Sequence, residues 1–115
     1  MVIQRGEIWW VDFGEVQGSR PASVRPGVVI QSERFNRSRI QTFVVVVVTG
    51  NLALAEMPGN VVLEPEQSGL QKTGVANVTQ ISTVNRTDLL ERVHRLSAES
   101  MAKIETGLKL VQGLD

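Results

Sequence analysis

The sequence predicts a mainly β fold in which several short strands are followed by one C-terminal helix. Short runs of β-branched and aromatic residues recur between turns rich in Gly, Pro and Asn, which is typical of strands. The longest of these runs, from Thr42 to Thr49, contains five consecutive valines. Only the segment after Ser97 places its apolar residues at helical spacing.

The first predicted strand covers Gly6 to Phe13, where aromatic and β-branched residues dominate. Gly14 to Arg25 is rich in Gly, Ser, Pro and Arg, so we expect an exposed, mobile loop. A loop of that length in a small domain is usually functional or disordered. Pro26 is expected to begin the second strand, because the first residue of a strand need not donate to the ladder. This strand continues to Gln31.

The middle of the chain is predicted to hold the central strand. A single helical turn fits the residues between Ser32 and Ser38. The run from Thr42 to Thr49 has no polar face, so it is expected to be buried on both sides of a sheet. A loop from Gly50 to Gly59 then leads to a short strand, Asn60 to Glu64, and a turn from Pro65 to Gly69.

The C-terminal third is predicted to end in an amphipathic helix. Gly74 to Val84 fits one bent strand or two short ones, Asn85 to Asp88 a turn or the start of a short helix, and Arg92 to Leu96 a further strand. Ser97 is a suitable N-cap, and an acid follows in the first turn. The apolar residues of the helix recur three or four positions apart: Met101, Ile104, Leu108 and Val111.

Length and composition indicate one globular domain spanning residues 1–115, with 42% apolar and 21% charged residues. The absence of cysteine excludes disulfides and thiolate sites, and a single histidine, His94, excludes a multi-histidine metal site. We therefore expect no metal and no cofactor. The longest apolar run, Phe43 to Val48, is far too short to span a bilayer. With no signal-peptide pattern at the N-terminus, a cytoplasmic protein without a membrane partner is expected.

The formal net charge is zero, but the charge is uneven. Residues 1–40 contain six arginines, no lysine and four acids, whereas residues 41–115 are acidic by two charges. The planar fork of arginine suits phosphate and base edges, so residues 1–40 could bind a nucleic acid. A solvated surface of mixed charge explains the same offset equally well.

A homodimer is expected from the amount of apolar surface. The valine strand and the adjacent Trp9 and Trp10 offer more of it than the core of a chain this size absorbs. The rings of adjacent strand residues point to opposite faces. One tryptophan is therefore expected in the core or the dimer interface, and the other either packs as well or stacks on a ligand.

Several segments resemble the MazF/PemK family of toxins, in the same order and spacing over nearly the whole chain. They are RGEIWWVDF, GSRPASVRPGVVIQ, TFVVVVVTGN, PGNVVLEP and VTQISTV. The resemblance implies a compact SH3-like β-barrel that forms a homodimer. It also implies a sequence-specific, metal-independent endoribonuclease acting on single-stranded RNA. In such systems a cognate antitoxin covers the RNA groove with a segment that folds on binding.

The resemblance matches Arg25 and Thr49 to the catalytic arginine and threonine of the family. Without a metal, the 2′-hydroxyl must attack the adjacent phosphate while the protein stabilises the developing charge. The fork of Arg25 can hold that phosphate, although arginine does not normally deprotonate and is a poor proton carrier. Thr49 can donate its hydroxyl to a phosphate oxygen. The alternatives are an exposed loop arginine and a strand-end threonine bonded to local backbone.

RNA contacts are expected from loops, because RNA is read mainly through unpaired bases. Gln80 matches a family position that contacts a base, although a strand glutamine can also simply face solvent. Ser19 and Arg20 lie in the long loop before the catalytic arginine and could close over the substrate. Asn36 and Asn51 are further candidate contacts.

Three positions depart from the family pattern. Arg20 stands where several relatives have an acidic residue, so a carboxylate that could handle a proton is missing or moved. Gly50 replaces a common Ser or Thr, and Ser82 stands where many relatives carry arginine. Each change is expected to alter which RNA sequence is cut.

Two alternatives come from other functional classes. CcdB-like proteins share the implied fold and poison DNA gyrase without catalysis, through a C-terminal aromatic tail. The tail of this chain, Leu110 to Asp115, contains no aromatic residue. A plain SH3-like module would need an aromatic groove, whereas aromatic residues make up only 4% of the chain and tyrosine is absent.

Overall fold

Six strands form one antiparallel sheet, packed against a C-terminal helix. The computed structural model describes residues 2–15 and 22–114. The strands are β1 (Glu7–Glu15), β2 (Ala22–Val29), β3 (Thr42–Thr49), β4 (Val61–Leu63), β5 (Gly74–Asn85) and β6 (Leu89–Arg95). The α-helices are α1 (Glu33–Asn36), α2 (Pro65–Ser68) and α3 (Ala98–Gln112), with 3-10 turns at Leu52–Glu56 and Arg86–Asp88.

The sheet is a curled half-barrel. Its strand order is β4-β5-β3-β2-β1-β6, so β4 and β6 are the two edges. The short helix α2 contacts both of these edge strands, and the sheet curls far enough to bring them near each other. The predicted mainly β class with a C-terminal helix is confirmed, with the described strands forming an open curl rather than a hydrogen-bonded closed barrel.

Two apolar clusters lie on opposite faces of this sheet. On the first, the helix face, Ile8, Val28 and Val46 pack against α3. On the second, the Trp9 face, Trp9 packs with neighbours from the other strands: Ile3, Val11, Val29, Phe43, Val45, Val84 and Leu89. Strand β3 contributes to both clusters, so the predicted central strand buried on both sides is confirmed.

A single chain already buries most of the apolar side chains from which the homodimer was expected. Val45 to Val48 are each at most 5% exposed within a single chain, and Trp9 is 1% exposed. A six-stranded sheet with two core faces absorbs the surface that was expected to need a second copy. The apolar side chains that remain exposed come from elsewhere, such as Phe35 at 56% and Leu52 at 54%.

The second strand begins earlier than predicted. Residues 22–25, expected in the loop, already pair with β1, and Pro26 lies inside β2 opposite Trp10. This proline is tolerated because the pairing of β2 with β3 begins only at Gly27, so no ladder donor is lost on that side. The strand ends at Val29 rather than Gln31. The rest of the expected long loop lies outside the described residues.

The predicted C-terminal helix is confirmed together with its cap. The Ser97 hydroxyl accepts a hydrogen bond from the Ser100 backbone N–H at 3.1 Å, and Gly113 ends the helix at φ 72°. Met101, Ile104 and Leu108 are buried, whereas Val111 is 42% exposed because the sheet does not extend under the last turn. Within the described residues, no helix has the length and apolarity needed to cross a bilayer.

Candidate functional site

Arg25 and Thr49 lie near the same end of the neighbouring strands β2 and β3. The ladder between β2 and β3 pairs Gly27 with Val47, and continuing this register by two residues sets Arg25 across from Thr49. The alternation of side chains along each strand places both on the Trp9 face. A guanidinium and a hydroxyl so placed can reach the same phosphate.

Phe13 closes the core beside this pair. A Cβ added to Gly27 would lie 3.4 Å from Cζ of Phe13 and 3.3 Å from Cγ2 of Val11, so the Phe13 ring covers the strand next to Arg25. Arg25 itself is exposed. No ion-pair partner of Arg25 is found among the described residues. Its guanidinium is therefore held at the boundary between core and solvent, where it can meet an anion.

The surroundings of Thr49 leave its hydroxyl proton available. Thr49 is 9% exposed, and its Oγ1 accepts a hydrogen bond from the Asn51 backbone N–H at 3.2 Å. The local backbone contact considered from the sequence therefore exists, but it uses the oxygen as acceptor. Asn51 in turn caps the following 3-10 turn, its Oδ1 accepting from the Ala53 N–H at 3.2 Å. Asn51 thus lies next to Thr49, and its side-chain oxygen already accepts the capping hydrogen bond.

Gln80 comes to the same face through a bulge in β5. The register between β3 and β5 shifts between Val46 and Val48. Residues 77–80 of β5 therefore lie opposite a single residue of β3. Counting back by alternation from Val84, which packs in the Trp9 cluster, puts Gln80 on the Trp9 face, and its side chain is exposed. Three predicted site residues thus lie on the same face of three adjacent strands.

Asn36 is used inside the protein, away from this face. It is 9% exposed. Its Oδ1 accepts from Nε2 of Gln31 at 2.9 Å, and its Nδ2 donates to the Gln31 carbonyl at 3.0 Å and to Oε1 of Glu33 at 2.8 Å. Contact between this amide and RNA would require these bonds to break. Ser19 and Arg20 lie outside the described residues.

Glu33, the partner of Asn36, has a lowered pKa. Burial by itself would raise the pKa of this carboxyl, but the Arg5 backbone N–H, which donates to it at 2.7 Å, and the Asn36 amide outweigh that effect. The nearby charges of Arg95 and Arg37 lower the pKa further. These contacts fix the N-terminal segment against α1.

A buried carboxylate that the sequence analysis did not single out joins β1 to β6. Glu7 is 3% exposed and accepts hydrogen bonds from the Gln4 N–H at 2.9 Å, Nε1 of Trp9 at 3.0 Å and Nε of Arg92 at 2.7 Å. A buried charge needs such partners. Its sequence context, an acid directly before a run of apolar strand residues, is the one available hint.

A cleft of about 630 Å³ opens beyond the end of β3. It is bounded by Trp10 and Pro26, by the segment 69–74, and by part of β6, with Thr49 and Gly50 on its lining. Trp10 is half-buried there. Trp9 is therefore the tryptophan in the core, as expected, and Trp10 remains partly accessible. Residues 69–74 carry no motif that would have predicted this position from the sequence.

His94 lies on β6. It is exposed and packs so closely on Gly69 that a Cβ there would lie 2.8 Å from its own Cβ. Within residues 2–15 and 22–114, no three His, Asp or Glu side chains are grouped so that they could hold a metal ion.

Comparison with known proteins places this geometry in context. Residues 4–112 match the family model described as PemK-like, MazF-like toxin of type II toxin-antitoxin system. The chain is 47% identical over 114 residues to Endoribonuclease MazF2 of Mycobacterium bovis and to Endoribonuclease MazF6 of Mycobacterium tuberculosis, covering 99% of this chain and all of each relative.

Solved structures share the fold. An endoribonuclease in complex with its cognate antitoxin from a mycobacterial species superimposes with a TM-score of 0.80 at 24% identity, covering 98% of this chain and 97% of that one. MazE-MazF from Deinococcus radiodurans gives a TM-score of 0.80 at 20% identity, covering 100% and 99% of the two chains.

Proposed function

The chain belongs to the family of PemK-like, MazF-like toxins of type II toxin–antitoxin systems, and from this premise we propose that it is a toxin that cleaves single-stranded RNA at specific sequences. The relatives that match it over their full length are named endoribonucleases. We take residues 1–115 as one domain that carries this activity. The observation that carries the proposal within the molecule is that Arg25 and Thr49 lie on one face, two residues beyond the last pair of the β2–β3 ladder, Gly27 and Val47.

The reaction is an attack of a ribose 2′-oxygen on the neighbouring phosphorus. The 2′-oxygen–phosphorus bond forms as the bond from phosphorus to the 5′-oxygen of the next nucleotide breaks, which leaves a cyclic phosphate. The 2′-hydroxyl loses a proton and the departing 5′-oxygen gains one. Negative charge accumulates on the two non-bridging oxygens, so preorganised donors aimed at them lower the barrier.

Arg25 and Thr49 fit the electrostatic part of this reaction. The guanidinium of Arg25 is permanently charged and can donate two parallel hydrogen bonds to the non-bridging oxygens. The Thr49 hydroxyl can donate a further one, because its oxygen already accepts from the Asn51 N–H. Both groups stabilise charge, and neither is a suitable base near neutral pH.

Base recognition is assigned to residues around this pair. Gln80 lies on the same face two strands from Arg25 and presents an amide to solvent. Asn51 is adjacent to Thr49, and Ser19 and Arg20 precede Arg25 in the chain. These residues are proposed to contact the nucleotides that flank the scissile phosphate.

The proposed partners are a second copy of the chain and a cognate antitoxin, in the cytoplasm. A related mycobacterial endoribonuclease was solved with its cognate antitoxin, and an antitoxin on the Trp9 face would cover Arg25 and Thr49 together. The family match favours this function over the gyrase-binding alternative.

Cleavage of a long unstructured RNA by the purified chain in EDTA tests the proposal. Site-specific cuts that persist in EDTA, carry cyclic phosphate or its hydrolysis products, and disappear when the nucleotide before the cut is 2′-deoxy would support it. A folded chain that leaves every RNA intact would contradict it, and inhibition of a topoisomerase would then be measured.

A further inference from the structure

The amide of Gln80 is held in one orientation by a neighbour in the β5 bulge. Nδ2 of Asn77 donates to Oε1 of Gln80 at 3.2 Å. Asn77 is 9% exposed and Gln80 is exposed, so the contact runs from the protein interior to a side chain at the surface. Among the described residues, no acceptor for Nε2 of Gln80 is seen.

The bulge that carries this contact is itself fixed. The Thr79 hydroxyl donates to Oδ1 of Asn77 at 2.9 Å, so both ends of the Asn77 amide have partners. The Val78 N–H, which lacks a ladder partner in the bulge, donates to Oδ1 of Asn60 at 2.9 Å. Asn60 in turn donates to the Leu54 carbonyl at 2.9 Å. Gln80 therefore projects from a hydrogen-bonded platform.

A free glutamine can both donate and accept, and so distinguishes bases poorly. With Oε1 occupied by Asn77, Gln80 offers its Nε2–H₂ outward as a donor. We propose that Asn77 is a positioning residue that turns the Nε2–H₂ of Gln80 outward, as a donor to the exocyclic group of one base, so that this position of the RNA site prefers guanine or uracil. This inference rests on the proposed RNA-cleaving function and on the placement of Gln80 beside Arg25 and Thr49.

The chemistry of the bases gives the preference a direction. Guanine O6 and uracil O4 accept hydrogen bonds, whereas adenine N6 and cytosine N4 are amino groups that donate. Where the donor faces this exocyclic position, at C6 of a purine or C4 of a pyrimidine, it selects guanine and uracil over adenine and cytosine. One such bond corresponds to a preference of up to about tenfold.

The substitution Asn77→Asp is expected to reverse this preference. Both oxygens of an aspartate accept, one from Thr79 and the other from Nε2 of Gln80. The Gln80 amide then turns its Oε1 outward and accepts from adenine or cytosine. A substitution that only loosened the fold would slow cleavage of all sequences alike, whereas an exchanged base preference requires a change in the orientation of Gln80.

The experiment is cleavage of a randomised RNA pool by wild-type and Asn77→Asp proteins, with the cut ends sequenced. We expect guanine or uracil at one position for the wild type, and about a tenfold shift toward adenine or cytosine for the variant. Asn85→Asp, the same change on the last residue of β5, is the control for added charge and keeps the wild-type preference. Thr79→Val removes the hydroxyl that donates to Oδ1 of Asn77 and is expected to broaden the base preference. Thr83→Val is expected to leave the base preference unchanged.

The outcomes separate this inference from the function beneath it. If wild type and Asn77→Asp cut with the same base preference, the role of Asn77 is refuted and the endoribonuclease stands. If the wild type cuts no RNA, both fail. Should Asn77→Asp not fold, an unchanged preference in folded Thr79→Val refutes the inference. Slowed exchange of the Gln80 side-chain amide protons in folded Asn77→Asp, measured by NMR, would support the turned amide without RNA.

Discussion

Replacing Gly107 by alanine tests how closely α3 packs on the sheet. Gly107 faces Gly59 backbone to backbone, and a Cβ on Gly107 would lie 2.9 Å from the carbonyl carbon and 3.1 Å from Cα of Gly59. These are main-chain atoms that cannot rotate away as a side chain would. Gly59 also has φ 88°, a conformation that favours glycine, so the turn cannot readily adapt.

Two opposing effects decide the result. Alanine in a helix interior is favoured over glycine by about 1 kcal/mol, whereas overpacking a tight contact costs about 1–3 kcal/mol. Contact with fixed backbone puts this substitution at or above the upper end of that range. The net loss is therefore about 2 kcal/mol, which lowers the Tm of a domain this size by about 8 °C.

Thermal and urea unfolding of purified Gly107→Ala measure this loss. Thr106→Ala is the neighbouring control: its side chain is exposed on the same helix, so the helix preference for alanine acts there, by a smaller amount than at glycine, without the contact to Gly59. We expect the control to stay within about 0.5 kcal/mol of wild type. A Gly107→Ala protein as stable as wild type, or more so, would refute the packing argument.

Three further outcomes follow from the site and its supports. Glu33→Gln is expected to lower the free energy of unfolding near neutral pH. This deficit should fade as the pH falls through the lowered pKa of Glu33, because only the charged carboxylate stabilises the folded state. Urea unfolding from pH 7 to pH 3 measures the deficit, and a deficit that stays constant over this range would contradict the reasoning. Trp10→Phe should leave only Trp9, 1% exposed, with fluorescence that resists acrylamide, whereas Trp9→Phe should leave a quenchable Trp10; equal quenching would contradict the two assignments. Thr49→Ser should keep most of the cleavage rate and Thr49→Val lose it at an unchanged Tm, and an active Thr49→Val would remove the hydroxyl from the mechanism.

Local signals were sufficient for most of the fold. The valine run predicted the central strand, and Ser97 predicted the start of α3, because burial and capping depend on residues that are neighbours in sequence. The start of β2 was predicted wrongly at Pro26, because whether a proline is tolerated inside this strand depends on where the pairing with β3 begins. That is a property of the sheet and not of the segment.

The candidate site needed the register of three strands. Resemblance supplied Arg25, Thr49 and Gln80, but no local pattern sets Arg25 opposite Thr49 or places Gln80 on a bulge. Asn77 could not be identified from the sequence for the same reason, because the bulge brings Gln80 to it. Asn36 shows the converse: a polar residue near a basic segment that the fold uses internally.

A double-mutant cycle on Arg25 and Thr49 tests the central claim that the two act on one phosphate. Single-turnover cleavage would be measured for Arg25→Ala, Thr49→Val and the double variant, with Arg39→Ala, another exposed arginine, as the control. We predict that Arg25→Ala slows cleavage at least a hundredfold, about 3 kcal/mol, and that adding Thr49→Val slows it by less than the product of the single effects, because the two groups act together. Arg25→Lys should restore only part of the rate, since the fork is lost. Folded Arg25→Ala that cuts at the wild-type rate, or effects of the two changes that simply multiply, would contradict the account.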